Sequence, residues 1–295
     1  MSGTRTFLLE LHCEEIPARF LKPLSEELAT QLGAFCKDRS LASSKFEMHY
    51  SPRKLSWKIP ALAVSQSDQT DIQIGPPQRM CVDEAGNPTQ TGLKFAEKWG
   101  VSISEVRYEL AKGKKEPCAV VTVLKQGRPT LELMAEALPK LIAGLHVPKA
   151  MRWGSSDFEF VRPIRNILCL FGEEIVPIEV DGVQASATTW GHRLYHQDHP
   201  QPVPVPSPDS YEAALEKAGV VVSFDVRRAR LKGQLDALAA EIGGNPVEDE
   251  ALLDTLAEIV EYPTIVRGAF PADFLDLPKE VLVTSLKEHQ KSFCI

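Results

Sequence analysis

No apolar run in this sequence approaches the roughly 18 consecutive residues that a bilayer-spanning helix needs. The opening apolar stretch, Phe7 to Leu11, is only strand-length, and the residues before it lack the core of a secretory signal. Cysteines are few and dispersed: Cys13, Cys36, Cys81, Cys118, Cys169 and Cys294, with no CxxC and no compact disulfide framework. A soluble chain in the reducing cytoplasm, with no membrane association, is the expectation. A basic excess is also missing. Lysine and arginine number 33 against 40 acids, a net charge of −7, which argues against a sequence-blind nucleic-acid binder. A local basic patch remains open, because charges are screened within about 10 Å at ordinary salt. Neither a Walker loop, GxGxxG, HExxH nor GxSxG is present, and no internal repeat is visible.

What is there reads as a globular chain: 295 residues, 43% hydrophobic and 25% charged. Thr6 to Cys13 has the continuous apolar character of a buried strand. Pro17 then opens a helix, in which Phe20, Leu21, Leu24, Leu28, Leu32 and Phe35 recur at helical spacing. Lys45 to Ser51 and Lys54 to Pro60 alternate as half-buried strands do, with Ser51-Pro52-Arg53 as their turn. Ile74 to Pro77 predicts a rigid corner. A short helix is expected over Thr91 to Trp99 and a strand over Cys118 to Leu124. Pro129 to Leu145 follows as a helix that Pro139 kinks or splits. Ile164 to Phe171 and Ile175 to Val180 predict strands joined at Gly172-Glu173-Glu174.

Pro200, Pro202, Pro204, Pro206 and Pro208 make the next stretch extended, a linker or a long loop. Beyond it, helices are expected over Pro208 to Ala218, Asp225 to Ile242, Glu248 to Glu261 and Pro278 to Lys291, with a short strand at Thr264 to Arg267. Ser292 to Ile295 starts a strand-like run and stops without a polar tail, the pattern of a chain cut inside a larger architecture.

Polar candidates are weak one by one. His192, His196 and His199 have metal-ligand chemistry, but ligation needs convergence and a fourth ligand, and Pro200 follows at once in an irregular stretch. Glu14-Glu15 could serve as a base or an anion sensor; they also suit the positive end of the helix opening at Pro17. Cys13 in an apolar strand reads as packing, since neighbouring His12 points the other way.

Lys149, Arg152, Arg162 and Arg165 outnumber Asp157 and Glu159 between Leu145 and Arg165, with Trp153, Phe158 and Phe160 interleaved. Arginines position phosphates and exposed rings stack on unpaired bases, although aromatics at alternate positions also describe a core. Arg227, Arg228, Arg230 and Lys232 read as a solvated helix face. Lys112, Lys114 and Lys115 mark a loop tip, and Lys287 to Lys291 end a helix where cations favour the dipole.

Several strings together resemble one family, the beta subunit of the bacterial heterotetrameric glycyl-tRNA synthetase. They are Phe7 to Ala18 with Glu14-Glu15-Ile16-Pro17, Ser51-Pro-Arg-Lys-Leu55, and Gly75-Pro-Pro77. Pro148-Lys-Ala-Met-Arg-Trp-Gly154 and Phe160-Val-Arg-Pro-Ile-Arg165 form the most specific stretch. Gly191-His-Arg193, Val260-Glu-Tyr-Pro263, Gly268-Ala-Phe270, Phe274 to Pro278 and Glu288-His-Gln-Lys291 follow in the family's order. His12 and Cys13 depart from it, standing where small or polar residues are usual.

The resemblance implies an α+β fold of mixed, mainly antiparallel sheets packed with helices, in two domains. Residues 1–163 would resemble the body and tail of archaeal CCA-adding enzymes. Residues 164–295 would resemble the editing-type domain of phenylalanyl-tRNA synthetase, truncated at its C-terminal end; the proline-rich stretch is the alternative boundary. A complete beta subunit is more than twice this length.

The implied function is tRNA binding and assembly for glycylation of tRNA. The partners would be the alpha subunit, which uses glycine, ATP and Mg, together with tRNA(Gly) and a second beta subunit. No catalytic residue, metal or cofactor is expected in this chain. The candidate tRNA contacts are Arg53, Lys54, Lys149, Arg152, Trp153, Arg162, Arg165, His192, Arg193, His289 and Lys291. Rival readings are an editing hydrolase using His192, Arg193 and His289, and a scaffold for the alpha subunit without RNA contact.

Overall fold

The computed structural model describes residues 3–110, 115–147, 149–194 and 202–295. The loop tip at Lys112 and Lys114 and the histidines His196 and His199 with Pro200 lie outside the described residues. The chain groups into two compact units, Met1–Val64 with Thr130–Ile295, and Ser65–Pro129. The boundary expected between 163 and 164 falls inside the first unit, because the strands on either side of it share one sheet.

In chain order the larger unit opens with β1 (Thr4–Cys13), α1 (Ala18–Asp38), β2 (Glu47–Ser51) and β3 (Lys54–Ala63). The smaller unit contributes β4 (Gln69–Pro77), α2 (Gln78–Cys81), α3 (Gln90–Lys98), β5 (Arg107–Glu109) and β6 (Cys118–Lys125). The larger unit resumes with α4 (Thr130–Ala143) and the two-residue pair β7 (Met151–Arg152) and β8 (Glu159–Phe160). Then come β9 (Ile164–Phe171), β10 (Glu174–Ile175), β11 (Glu179–Val180), β12 (Val183–Ser186), β13 (Thr188–Trp190) and β14 (Pro202–Pro204). Helices α5 (Tyr211–Lys217), α6 (Phe224–Ile242), α7 (Glu250–Ile259) and α8 (Lys279–Thr284) follow. The fold is α+β with mainly antiparallel sheets; the pairing of β12 with β9 is parallel. Among the described residues no helix is long and apolar enough to cross a membrane.

The main sheet runs β11-β12-β9-β1-β3-β2, with β10 beside β9. β1 lies inside this sheet with both faces covered, which explains why its apolar residues Phe7, Leu8, Leu9 and Leu11 are not confined to alternate positions. Phe7, Leu9, Leu11 and Cys13 enter the principal core with Leu21, Leu24, Leu28 and Leu32 of α1 and Leu133, Met134 and Leu138 of α4. Leu8, on the opposite face, packs with Leu168, Leu170, Tyr211 and Leu215. Trp57 on β3 donates from Nε1 to the Ser25 carbonyl at 2.8 Å, tying α1 to the sheet. Gly172 turns β9 into β10 at φ +63, a conformation that suits glycine.

Several expected elements differ. Pro139 lies inside α4, which continues as one helix to Ala143; the proline removes only the single amide donor that would have met the Ala135 carbonyl. Gly75-Pro-Pro77 belongs to strand β4 rather than a corner. Thr264 to Arg267 forms no strand: Gln234 stands in for a partner, accepting from the Ile265 amide at 2.8 Å and donating to the Pro263 carbonyl at 3.2 Å. The last helix shortens to α8 plus a π-helical turn at Ser285–His289. Ser292 to Ile295 is likewise not a strand, although the Val247 amide bonds the Cys294 carbonyl at 2.9 Å.

In the smaller unit, β4-β6-β5 carries Ala119 and Val121 against Cys81, Phe95 and Ala96. A Cβ at Gly92 would stand 2.5 Å from the Cys81 carbonyl oxygen, so α3 requires glycine there to lie on α2.

Candidate nucleic-acid interface

The end of β1 is where distant parts of the sequence meet. The Cys13 amide donates to the Arg53 carbonyl at 2.8 Å, the Glu14 amide to Pro163 at 3.1 Å, and the Ile16 amide to Pro52 at 2.7 Å. The turn at Ser51 to Arg53 and the corner at Phe160 to Arg165 thus clasp the Glu14-Glu15-Ile16-Pro17 segment. The site has a buried inner layer and an exposed outer one.

In the inner layer His12 and Lys54 are cross-strand partners, on the same face of β1 as Glu10. Lys54 Nζ donates to Thr189 Oγ1 at 2.8 Å and to Glu10 Oε1 at 3.3 Å, and lies 3.1 Å from His12 Nδ1. Glu10 also accepts from Thr189 Oγ1 and from Tyr211 Oη, each at 2.6 Å. Burial, then the nearby Lys54 and Arg53, hold the His12 imidazole far below its usual range, so it is neutral. Burial lowers Lys54 while Glu10 pulls it back up; burial and the Glu10 carboxylate raise Tyr211. Beside them Arg53 makes a two-pronged pair with Glu261 at 3.0 and 2.7 Å and donates to the Gly191 carbonyl at 3.1 Å. Burial also pushes the Cys13 thiol upward, which disarms it as a nucleophile.

In the outer layer Arg193 Nη2 donates to Glu14 Oε2 at 2.9 Å, and Arg165 Nε lies 3.5 Å from Glu14 Oε1. Arg193 also approaches Glu15 at 3.8 Å, and Arg162 Nε donates to the Glu15 carbonyl at 2.9 Å. Neighbouring His192 is held through its backbone, donating to Ala218 at 2.8 Å, while its Nδ1 accepts from the Leu194 amide at 3.2 Å.

The sequence candidates therefore divide. Arg162, Arg165, His192 and Arg193 gather at the end of β1. Arg53 and Lys54 are there too, but they are buried and ion-paired, so in this conformation they offer no donor to an outside phosphate. Lys149, Arg152 and Trp153 belong to the β7–β8 ribbon. There Arg152 pairs with Glu159 at 3.1 Å and Asp157 at 3.3 Å, and Trp153 Nε1 donates to the Phe160 carbonyl at 3.1 Å. His289 and Lys291 follow α8, where Lys291 lies 3.9 Å from Glu288. Among the described residues no hydrogen bond or ion pair joins His289 to His192 or Arg193.

Sequence reasoning missed Glu10, Thr189, Tyr211 and Glu261. Glu10 carried a usable signal, a lone acid inside an apolar strand. Arg227 was missed differently: expected on a solvated face, it is fully buried. One trio of possible metal ligands exists among the described residues, Glu47, His49 and Glu212, with ligand atoms within 4.8 Å of one another. Lys58 Nζ lies 4.0 Å from Glu47 and already supplies positive charge there.

The family model described as glycyl-tRNA synthetase beta subunit matches residues 7–295. The glycine–tRNA ligase beta subunit of Desulfatibacillum aliphaticivorans is 37% identical over 288 residues, covering 98% of this chain and 41% of that protein. Its counterpart from Bacillus subtilis strain 168 is 35% identical over 286 residues, 97% of this chain and again 41% of the relative. The chain thus spans about two fifths of the length of the curated relatives it matches. The motif strings that meet at the end of β1 lie within the matched span, and the chain belongs to the glycyl-tRNA synthetase beta subunit family.

Proposed function

We propose that this chain is a tRNA-binding and assembly part of glycyl-tRNA synthetase, acting in the cytoplasm. In this reading a separate alpha subunit, using ATP and Mg, attaches glycine to tRNA(Gly), and two copies of each subunit assemble. The beta subunit holds the RNA.

The observation that carries the reading is the outer arginine layer, presented by a chain that belongs to this family. Arg165 and Arg193 come from separate elements, converge on one carboxylate, and keep side chains 63% and 53% exposed. Guanidinium groups so placed fit a phosphate in a two-pronged geometry. Net charge does not oppose this, since the patch lies at a surface where only nearby charges count.

The test is tRNA(Gly) binding by the full-length beta subunit with its alpha partner, across a series of salt concentrations. Replacing Arg165 and Arg193 together by alanine should weaken binding and flatten the salt slope by about one, for the single phosphate that both guanidinium groups grip, with the melting temperature preserved. Normal melting with an unchanged slope would remove this surface from the RNA interface.

A further inference from the structure

We infer that Glu14 is a resident counter-anion in a two-arginine phosphate site, and that an RNA phosphate takes its place on binding. The inference rests on the tRNA-binding reading above and deepens it.

The geometry is that of an occupied anion site. Arg193 reaches Glu14 Oε2 at 2.9 Å and Arg165 stands 3.5 Å from Oε1, so one carboxylate is gripped from both sides. The three groups come from different stretches: the end of β1, the start of β9 and the segment after β13. Arg162 adds a third guanidinium, fixed to the Glu15 and Val161 carbonyls at 2.9 Å each. A carboxylate and a phosphodiester carry the same charge and accept the same paired donors.

Energetics separate this carboxylate from the others nearby. The Arg53–Glu261 pair is only 8% and 7% exposed, and leaving either charge unpaired there is costly. Glu14 is 42% exposed, and ion pairs in water contribute little. Its carboxylate can therefore turn to solvent when a phosphate arrives, without unpairing a buried charge.

The arrangement also supplies selectivity. An internal anion weakens capture of loose phosphate, so occupancy depends on other contacts made by a large RNA at the same time. In a chain of net charge −7, the pincer is held ready but closed.

The experiment compares tRNA(Gly) affinity and salt slope for the full-length beta subunit with its alpha partner, in wild type and four variants. Glu14→Gln keeps the shape and removes the charge. It should tighten binding about three- to fivefold at low salt and steepen the slope by about one. Glu14→Ala should move affinity the same way, and melting curves report whether either variant is intact. Glu241→Gln makes the same charge change on α6, and equal tightening by it would show a general charge effect and overturn the inference. So would unchanged or weaker binding by the Glu14 variants while Arg165→Ala with Arg193→Ala weakens it; the carboxylate would then build the site rather than fill it, and the tRNA reading would stand. If the arginine variant binds normally, both readings fall.

Discussion

Glu10 and Glu14 lie four positions apart, one in mid-strand and one just past its end, and the protein treats them differently. Glu10 is fully buried and satisfied by Lys54, Thr189 and Tyr211; removing one partner from such a group leaves a charge without water or counter-charge. The neighbouring His12 makes this network sensitive to acid. Its folded-state pKa is far below 6.5 because of burial first and Lys54 second. The unfolded chain takes up that proton as pH falls through about 6.5, and the folded one does not. Stability is therefore complete above this pH and declines below it, by about 1.4 kcal/mol per unit for this group. Thermal melting between pH 5 and 7.5 should show the loss, and His12→Gln should show a shallower one. Parallel curves for the two proteins would disprove the role of His12.

Among the elements, α6 shows how a helix can be anchored by a cation. Arg227 is fully buried and donates to the carbonyls of Ala257 (2.8 Å), Val221 (2.7 Å), Val222 (2.9 Å) and Tyr50 (2.8 Å). Burial lowers its pKa to about 10, so it remains charged at neutral pH. One side chain thereby links α6 to the end of α7 and to β2. Its neighbours face acids instead: Arg228 pairs with Asp254 and Glu250, and Arg230 with Glu216. Replacing Arg227 by alanine leaves several buried carbonyls without donors and should cost at least about 3 kcal/mol, read as a lower denaturant midpoint. The same change at Arg230, where the pair is exposed, should cost under about 1 kcal/mol. Similar losses at both positions would refute the anchoring argument.

For the whole molecule, the 65–129 unit is an insertion between two adjacent points of the larger one. The Thr130 amide donates to the Val64 carbonyl at 2.9 Å, and Thr130 Oγ1 to the Ala63 carbonyl at 2.5 Å. The chain thus leaves and re-enters the larger unit at almost one place, the arrangement that tolerates excision. Replacing residues 66–128 by a short glycine–serine link should leave a remainder that melts in a single cooperative transition with the main-sheet core intact. A remainder without cooperative melting would show that the larger unit depends on the insert.

The elements most legible in the sequence were those governed by local pattern. The apolar run Phe7 to Leu11, the helical spacing from Leu21 to Leu32 and the turn at Gly172 each follow from side-chain period or backbone freedom, which neighbours alone determine. Family membership was legible too, because strings such as Ser51 to Leu55 and Phe160 to Arg165 are specific without reference to space. Tertiary structure alone decided which cations meet water. Arg53, Lys54 and Arg227 read from sequence as surface charges, as Arg165 and Arg193 do. Their burial depends on Glu261, Glu10 and a ring of carbonyls brought from distant positions. Burial of a charge is a property of all the elements that close around it, and no single stretch of chain contains that information.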